Sequence, residues 1–110
     1  MIKVTVYKTM RQEYTGFDLS GHAGYSEQGS DIVCAAVSAL VINTVNSVSE
    51  FTQDETSCVS DEESGLIQFR FKNRPSRDAS LLLDSMILGL QGIEGNSKYE
   101  PYIDIIFKEV

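Results

Sequence analysis

The sequence predicts an α+β fold, in which one domain of residues 1–110 packs two helices on a mainly antiparallel sheet. Segments that alternate apolar and polar residues, typical of half-buried strands, are separated by two apolar stretches of helical periodicity. These segments follow the order β-β-α-β-β-α-β, and no linker or repeat divides them. A chain of this length buries roughly two-thirds of its unfolded surface, which is enough for one core without a disulfide or a metal.

The first two strands are predicted at residues 2–7 and at Tyr14–Ser20. In the first strand Ile2, Val4 and Val6 alternate with polar residues. Because the connection between the two strands is short, we expect them to pair antiparallel as a hairpin. Residues 21–30 contain three glycines and no periodic pattern, so they are predicted to form a loop.

The first helix is predicted to begin at a cap residue, Ser30 or Asp31, and to end near Phe51. A helix of this length measures roughly 30 Å. Its apolar positions repeat every 3.6 residues or so and are 33, 36, 37, 40, 41, 45 and 48. Serine and asparagine residues interrupt this apolar run, and we expect it to be too polar to span a membrane.

The second half of the chain predicts two further strands, a helix and a last strand. The strands lie at Thr56–Ser60 and Leu66–Lys72, with a turn between them. Pro75 and Ser76 are predicted to open the second helix, because proline is favoured at a helix start and apolar residues of helical spacing follow. The last strand is predicted at Tyr102–Lys108.

The charge balance narrows the range of functions. With 9 basic and 16 acidic residues, the chain has a formal net charge of −7. Such a surface repels phosphate backbones, so direct nucleic-acid binding is disfavoured and a basic protein partner is favoured. Two cysteines and the lack of a recognisable secretory leader predict free thiols in a reducing compartment, so we expect a cytoplasmic protein.

Cys34 and His22 are the candidate catalytic residues. If Asp31 caps the helix, Cys34 is the third helical residue, where unpaired backbone N–H groups and the helix dipole favour an anion. A free thiol has a pKa of about 8.5, so a base is needed to raise the thiolate fraction at neutral pH. An imidazole at position 22 would take the proton, and the backbone N–H groups would hold an oxyanion.

Purely structural, non-catalytic interpretations of Cys34 and His22 remain open at this point. A cysteine among alanines at a helix start is usually a small buried apolar residue, and a single histidine near a turn is usually structural. No C-x-x-C or H-x-x-H spacing occurs, so neither a metal nor another cofactor is predicted. Cys58 is interpreted as structural. A thiol-dependent transferase or redox protein that uses Cys34 is the alternative enzyme class.

Two sequence strings carry a family resemblance. GHAGY at 21–25 and GSDIVCAAVS at 29–38 resemble the signature of the ribosomal-processing cysteine proteases, the Prp family. The resemblance extends over the whole chain. It implies a small cytoplasmic endopeptidase that removes the N-terminal extension of a large-subunit ribosomal protein, number twenty-seven, by cutting after a phenylalanine. It also implies Cys34 as the nucleophile and His22 as the general base.

The resemblance further implies supporting roles for Gly21, Asp31 and Ser38. Ser38 follows Cys34 by one helical turn, where its hydroxyl would hydrogen-bond the imidazole, the substrate backbone or the helix carbonyl at position 34. Asp31 would cap the helix, orient His22, or do both.

The loop at 21–30 is the predicted substrate-binding segment. Gly24, Tyr25 and Gly29 would let it close over an extended peptide and bring His22 to the sulfur. An aromatic residue before the cut needs an apolar pocket. The candidates for that pocket are Tyr25, Val37, Met86 and Leu90.

The expected partner is a basic ribosomal protein, which an acidic enzyme attracts electrostatically. The alternative function is a non-catalytic ribosome-assembly module that binds the same basic tail. A homodimer is also expected for so small an enzyme, through an exposed sheet edge or the second helix.

Overall fold

The computed structural model describes the backbone of residues 1–21 and 28–110, and the side chains of 1–21 and 32–110. The order β-β-α-β-β-α-β is confirmed. The elements are β1 (Ile2–Lys8), β2 (Tyr14–Ser20), α1 (Gln28–Phe51), β3 (Thr56–Asp61), β4 (Leu66–Phe71), α2 (Arg77–Glu94), a short 3₁₀ turn (Glu100–Tyr102) and β5 (Ile103–Glu109).

The five strands form one sheet in the order β3-β4-β2-β1-β5. The predicted hairpin of β1 and β2 is confirmed, with Val6 opposite Phe17. The pairs β2–β4 and β3–β4 are also antiparallel, whereas β5 runs parallel to β1 and places Ile103 opposite Ile2. The sheet is therefore mainly antiparallel, as predicted, with one parallel pair at one side.

The core lies between one face of this sheet and the two helices. On α1 the buried hydrophobic residues are valines four or seven positions apart: Val33, Val37, Val41 and Val48. They pack with Phe17 and Phe69, whose rings stack with centroids 5.0 Å apart. Each fully buried side chain of this size contributes about 1.5–3 kcal/mol relative to exposure. The apolar positions predicted on α1 thus include the residues through which the helix packs against the sheet.

The expectation that this helix is too polar for a membrane is not supported by its composition. Ile32–Phe51 has a mean hydropathy of 1.8 and is long and apolar enough to span a membrane on length and composition alone. In the fold, however, its valine face packs against the sheet. A core helix and a membrane helix share this composition, and the packing partner distinguishes them.

The second helix opens at Ser76, close to the prediction, and the structure assigns this serine the role of N-cap. The Ser76 hydroxyl accepts a hydrogen bond from the Ala79 backbone N–H at 3.1 Å, as an N-cap does. Asp54 then holds the cap, because its carboxylate accepts from the Ser76 N–H at 2.7 Å and from the Ser76 hydroxyl at 2.5 Å. The segment between α1 and β3 is thereby tied to the second helix.

A polar cluster lies on the sheet face opposite the helices. Asp18 accepts hydrogen bonds from Tyr7 and Arg70, both at 2.8 Å, and the Arg70 guanidinium lies 4.6 Å from the centre of the Tyr7 ring. Burial alone would raise the pKa of Asp18, but these hydrogen bonds and the Arg70 charge hold it below its ordinary value. The carboxylate is therefore ionised at neutral pH and joins β1, β2 and β4.

Candidate active site

An open groove runs between α1 and the hairpin formed by β3 and β4. Its volume is about 460 Å³. Cys34 and Ser38 line its α1 wall, and Gly21 lines the end at which β2 leaves the sheet. The groove therefore brings together three of the residues that the sequence singled out, from two separate elements.

Cys34 and Ser38 lie one turn apart on α1 and face the same space. Both side chains are half-buried, and the prediction that they share a helix face is confirmed. His22, Gly24 and Tyr25 lie outside the described residues. The backbone of Gly29 and Asp31 belongs to α1, so the prediction of a loop over 21–30 is wrong for residues 28–30, which are helical. The position of the Asp31 side chain is outside the described part.

The predicted start of α1 is wrong, and this changes the argument for Cys34. The helix begins at Gln28 rather than after Ser30 or Asp31, so Cys34 is its seventh residue and not its third. The amide of a seventh residue is beyond the unpaired N–H groups of the first turn, and the dipole effect decays within that turn. Activation of the sulfur therefore needs a charged or basic partner, which makes the histidine more important to the hypothesis.

Gly21 controls how the chain leaves β2 toward position 22. Its φ of +97° is in the left-handed region that side chains disfavour. A Cβ atom on Gly21 would lie only 2.3 Å from the Met1 carbonyl oxygen. Glycine is thus required here for both conformation and space, and this gives a physical reason for the supporting role predicted at this position.

The walls of the groove are mostly apolar. Val37 lies on α1 near Cys34, and Ile42 and Val45 continue the apolar lining along the helix, while Leu19 and its cross-strand partner Ile67 line the sheet side. Val37 was a predicted pocket residue and does line the groove.

Met86 and Leu90 were also predicted pocket residues, and for them the prediction is wrong. Both are buried in the core, because α2 packs against α1 and β5, away from the groove. Their helical spacing indicated an apolar face but not which neighbour that face contacts.

The mouth of the groove is acidic. Asp61 and Glu62, at the β3–β4 turn, line it, and the Asp61 carboxylate accepts a hydrogen bond from the Glu63 backbone N–H at 3.0 Å. A substrate that enters here meets negative charge before it meets apolar side chains. Within residues 1–21 and 32–110, no three histidine, cysteine or acidic side chains come together as a metal site.

Cys58 is a groove residue that sequence reasoning missed. It pairs with the buried Phe69 across β3 and β4, so its side chain points to the helix side of the sheet and lines the groove. Partial burial raises the pKa of the Cys58 thiol. The alternation of β3 contained the signal, because Thr56, Cys58 and Ser60 share a face, but the sequence did not show that α1 leaves this face open.

Comparisons with known proteins show the family to which the chain belongs. A family model described as Cysteine protease Prp matches residues 1–104. The ribosomal processing cysteine protease Prp of Bacillus subtilis is 32% identical over 102 residues, which cover 89% of this chain and 91% of that protein. The protein of the same name from Staphylococcus aureus is 31% identical over 108 residues, which cover 98% of this chain and 100% of the relative.

Solved structures give the same result. The essential ribosomal processing protease Prp from S. aureus, in complex with a substrate peptide, superposes with a TM-score of 0.90 at 30% identity, covering 98% of this chain and 100% of that one. The same enzyme with a covalently linked product peptide gives a TM-score of 0.87, with the same identity and coverage. The chain therefore belongs to the Prp family of cysteine proteases.

Proposed function

We propose that this protease removes the N-terminal extension of a large-subunit ribosomal protein, number twenty-seven, with Cys34 as nucleophile and His22 as general base. The observation that carries the proposal is the position of Cys34 and Ser38 in an open, mostly apolar groove, in a chain whose relatives are ribosomal processing proteases. A relative of the same fold was solved with a substrate peptide and with a covalently linked product peptide.

The proposed reaction has two halves. His22 takes the thiol proton, and the Cys34 thiolate adds to the carbonyl carbon of the bond to be cut. The tetrahedral intermediate collapses, the amine leaves with the proton from the imidazolium, and a thioester joins the N-terminal fragment to Cys34. Water, deprotonated by His22, then attacks the thioester and returns the free thiol.

Gly21, Asp31 and Ser38 would support this chemistry. Gly21 sets the direction of the chain just before His22, as its backbone geometry requires. Ser38 lies beside the sulfur in the groove, where its hydroxyl would position the imidazole or the substrate backbone. Asp31 would orient His22.

The loop residues Gly24 and Tyr25 would close over the peptide, with Gly29 at the base of this segment in the first turn of α1. Loop closure would exclude water and complete the catalytic arrangement only when substrate is present. Alanine substitution of each of these residues, with KM and kcat measured separately, tests its role.

The groove fits the proposed substrate in two respects. Its apolar walls suit a large apolar side chain such as phenylalanine before the cut, with Val37 among the lining residues. Its acidic mouth and the net charge of −7 suit the basic body of a ribosomal protein. Both features are properties of side chains and not of the fold alone.

The deciding experiment incubates the protein with the tailed ribosomal protein and determines masses before and after. The expected result is release of one defined N-terminal peptide, which is lost in Cys34→Ser and His22→Ala. Ser38→Ala should slow cleavage, whereas Ser49→Ala, at an exposed position on the same helix, serves as its matched control. Cleavage that persists in Cys34→Ser would refute the proposed mechanism.

The same experiment separates the alternatives. A non-catalytic assembly module would bind the tailed protein without cutting it, and Cys34→Ser would leave its function intact. A transferase or redox protein would show a transferred group or a disulfide on Cys34 by mass and no peptide release.

We also propose a cytoplasmic location and a homodimer. Leu81 and Leu88 lie two turns apart on α2 and are 64% and 72% exposed, which suits a contact between two copies. Sedimentation of Leu88→Lys against the unchanged protein tests the dimer: an unaltered mass would contradict it.

A further inference from the structure

We propose that the part of the groove remote from Cys34 is a distal substrate subsite, which binds an apolar side chain four or five residues away from the bond that is cut. This inference rests on the proposed protease function and adds a second recognition point to it. The occupant is an extended segment of the substrate itself.

The length of the groove supports this distance. Its α1 wall extends from Cys34 to Asn46, and this stretch of helix measures about 18 Å at 1.5 Å per residue. An extended peptide advances roughly 3.3 Å per residue, so about five residues span the same length. A peptide held only at the sulfur would leave most of the groove empty.

The distal half is apolar and uncovered. Ile42 lines it and is 48% exposed, although it lies on a core helix. Across the groove Cys58 points to the helix side of the sheet, yet it is exposed, because neither α1 nor α2 covers it. The helix-side face of the outer strands is thus uncovered and has room for a further segment of chain.

Continuity with the catalytic end identifies the occupant. Ile42 and Val45 line the same cavity as Cys34 and Ser38, without a barrier between them. A chain that presents its carbonyl to the sulfur and follows the apolar wall therefore reaches Ile42 and Cys58. A helix would cover the same wall but would not present an extended bond to Cys34, so an extended segment is favoured.

Cys58 provides a native reporter of this occupancy. The protein has two cysteines, so in Cys34→Ser the Cys58 thiol is the single site for alkylation by iodoacetamide. We expect a synthetic peptide with six residues on each side of the cut site to slow Cys58 alkylation at least fivefold at saturation. A peptide with two residues on each side, used at saturation, should leave the rate unchanged.

Kinetics of protein variants give the second measurement. Ile42→Ser should lower kcat/KM for the long peptide about tenfold, the effect of losing one apolar contact, and leave kcat/KM for the short peptide unchanged. The matched control is Val59→Ser, since Val59 is also exposed, at 58%, but points to the other face of the sheet. It should leave both values unchanged.

Two results would overturn the inference while the protease function stands. One is unslowed Cys58 alkylation at saturating long peptide, and the other is an equal effect of Ile42→Ser on long and short peptides. If the unchanged protein cuts neither peptide nor the tailed ribosomal protein, the proposed function itself fails. The two failures are therefore distinguishable.

Discussion

Replacement of Gly21 by alanine is the most direct test of how the fold positions the catalytic histidine. The new Cβ atom would lie 2.3 Å from the Met1 carbonyl oxygen, whereas carbon and oxygen atoms without a bond approach to roughly 3.3 Å. The backbone must therefore move by about 1 Å. The left-handed conformation, with φ at +97°, adds a strain of about 1–2 kcal/mol for a residue with a side chain.

This displacement occurs one residue before His22. A misplacement of about 1 Å in a catalytic arrangement costs up to about a hundredfold in rate. We therefore expect Gly21→Ala to lower kcat/KM for the tailed ribosomal protein by a factor of about 10 to 100. The free energy of unfolding should fall by about 2–5 kcal/mol, the left-handed strain plus roughly 1–3 kcal/mol for the displaced backbone, against about 5–15 kcal/mol for a typical domain.

The assay combines peptide release, followed by mass spectrometry, with urea unfolding followed by circular dichroism. Gly92→Ala is the matched control, because no atom lies within 4 Å of the position of its Cβ. It should keep full activity and gain up to about 1 kcal/mol of stability, since alanine favours a helix. A Gly21→Ala protein that is folded and fully active would refute the reasoning.

Three further predictions concern the stability of the protein and its association with a basic substrate. Asp18→Asn should lower the free energy of unfolding at pH 7 by about 1–2 kcal/mol, because the carboxylate accepts hydrogen bonds from Tyr7 and Arg70. Since the pKa of Asp18 is lower in the folded state, this stabilisation is present above about pH 4 and is lost as the pH falls through the lowered value, so unfolding curves of the two proteins should converge in acid. Ser76→Ala removes the cap on the Ala79 N–H and should cost about 1 kcal/mol in urea unfolding, whereas an unchanged midpoint would show that the cap contributes nothing. Because the net charge is −7, kcat/KM for a basic substrate should fall as salt rises from 50 to 500 mM, and a salt-independent value would exclude electrostatic attraction.

The sequence predicted the strands well because their signal is local. Alternation such as that of Ile2, Val4 and Val6 requires only neighbours in the chain, and each predicted strand agrees with an observed one to within one or two residues. The start of α1 was missed by three or four residues because Gln28, Gly29 and Ser30 carry no apolar periodicity, while Asp31 satisfies the pattern of a cap.

The candidate site was predictable only in part. Helical spacing predicts that Cys34 and Ser38 share one face of α1, and in the structure both line the groove. The groove itself depends on which helix covers which strand, and no local pattern encodes that. Cys58 and Ile42 were missed for this reason, since they meet across a space created by the sheet order.

The parallel pairing of β5 with β1 sets the order in which the sheet is completed during synthesis. Ile2 lines the groove and pairs with Ile103, a partner separated from it by nearly the whole chain. During synthesis the ribosome must release the strand that follows α2 before the outer edge of β1 is covered. The strand that synthesis delivers last therefore closes the sheet edge farthest from β3 and β4, and the edge of β1 that carries Ile2 is the last part of the sheet to gain its partner.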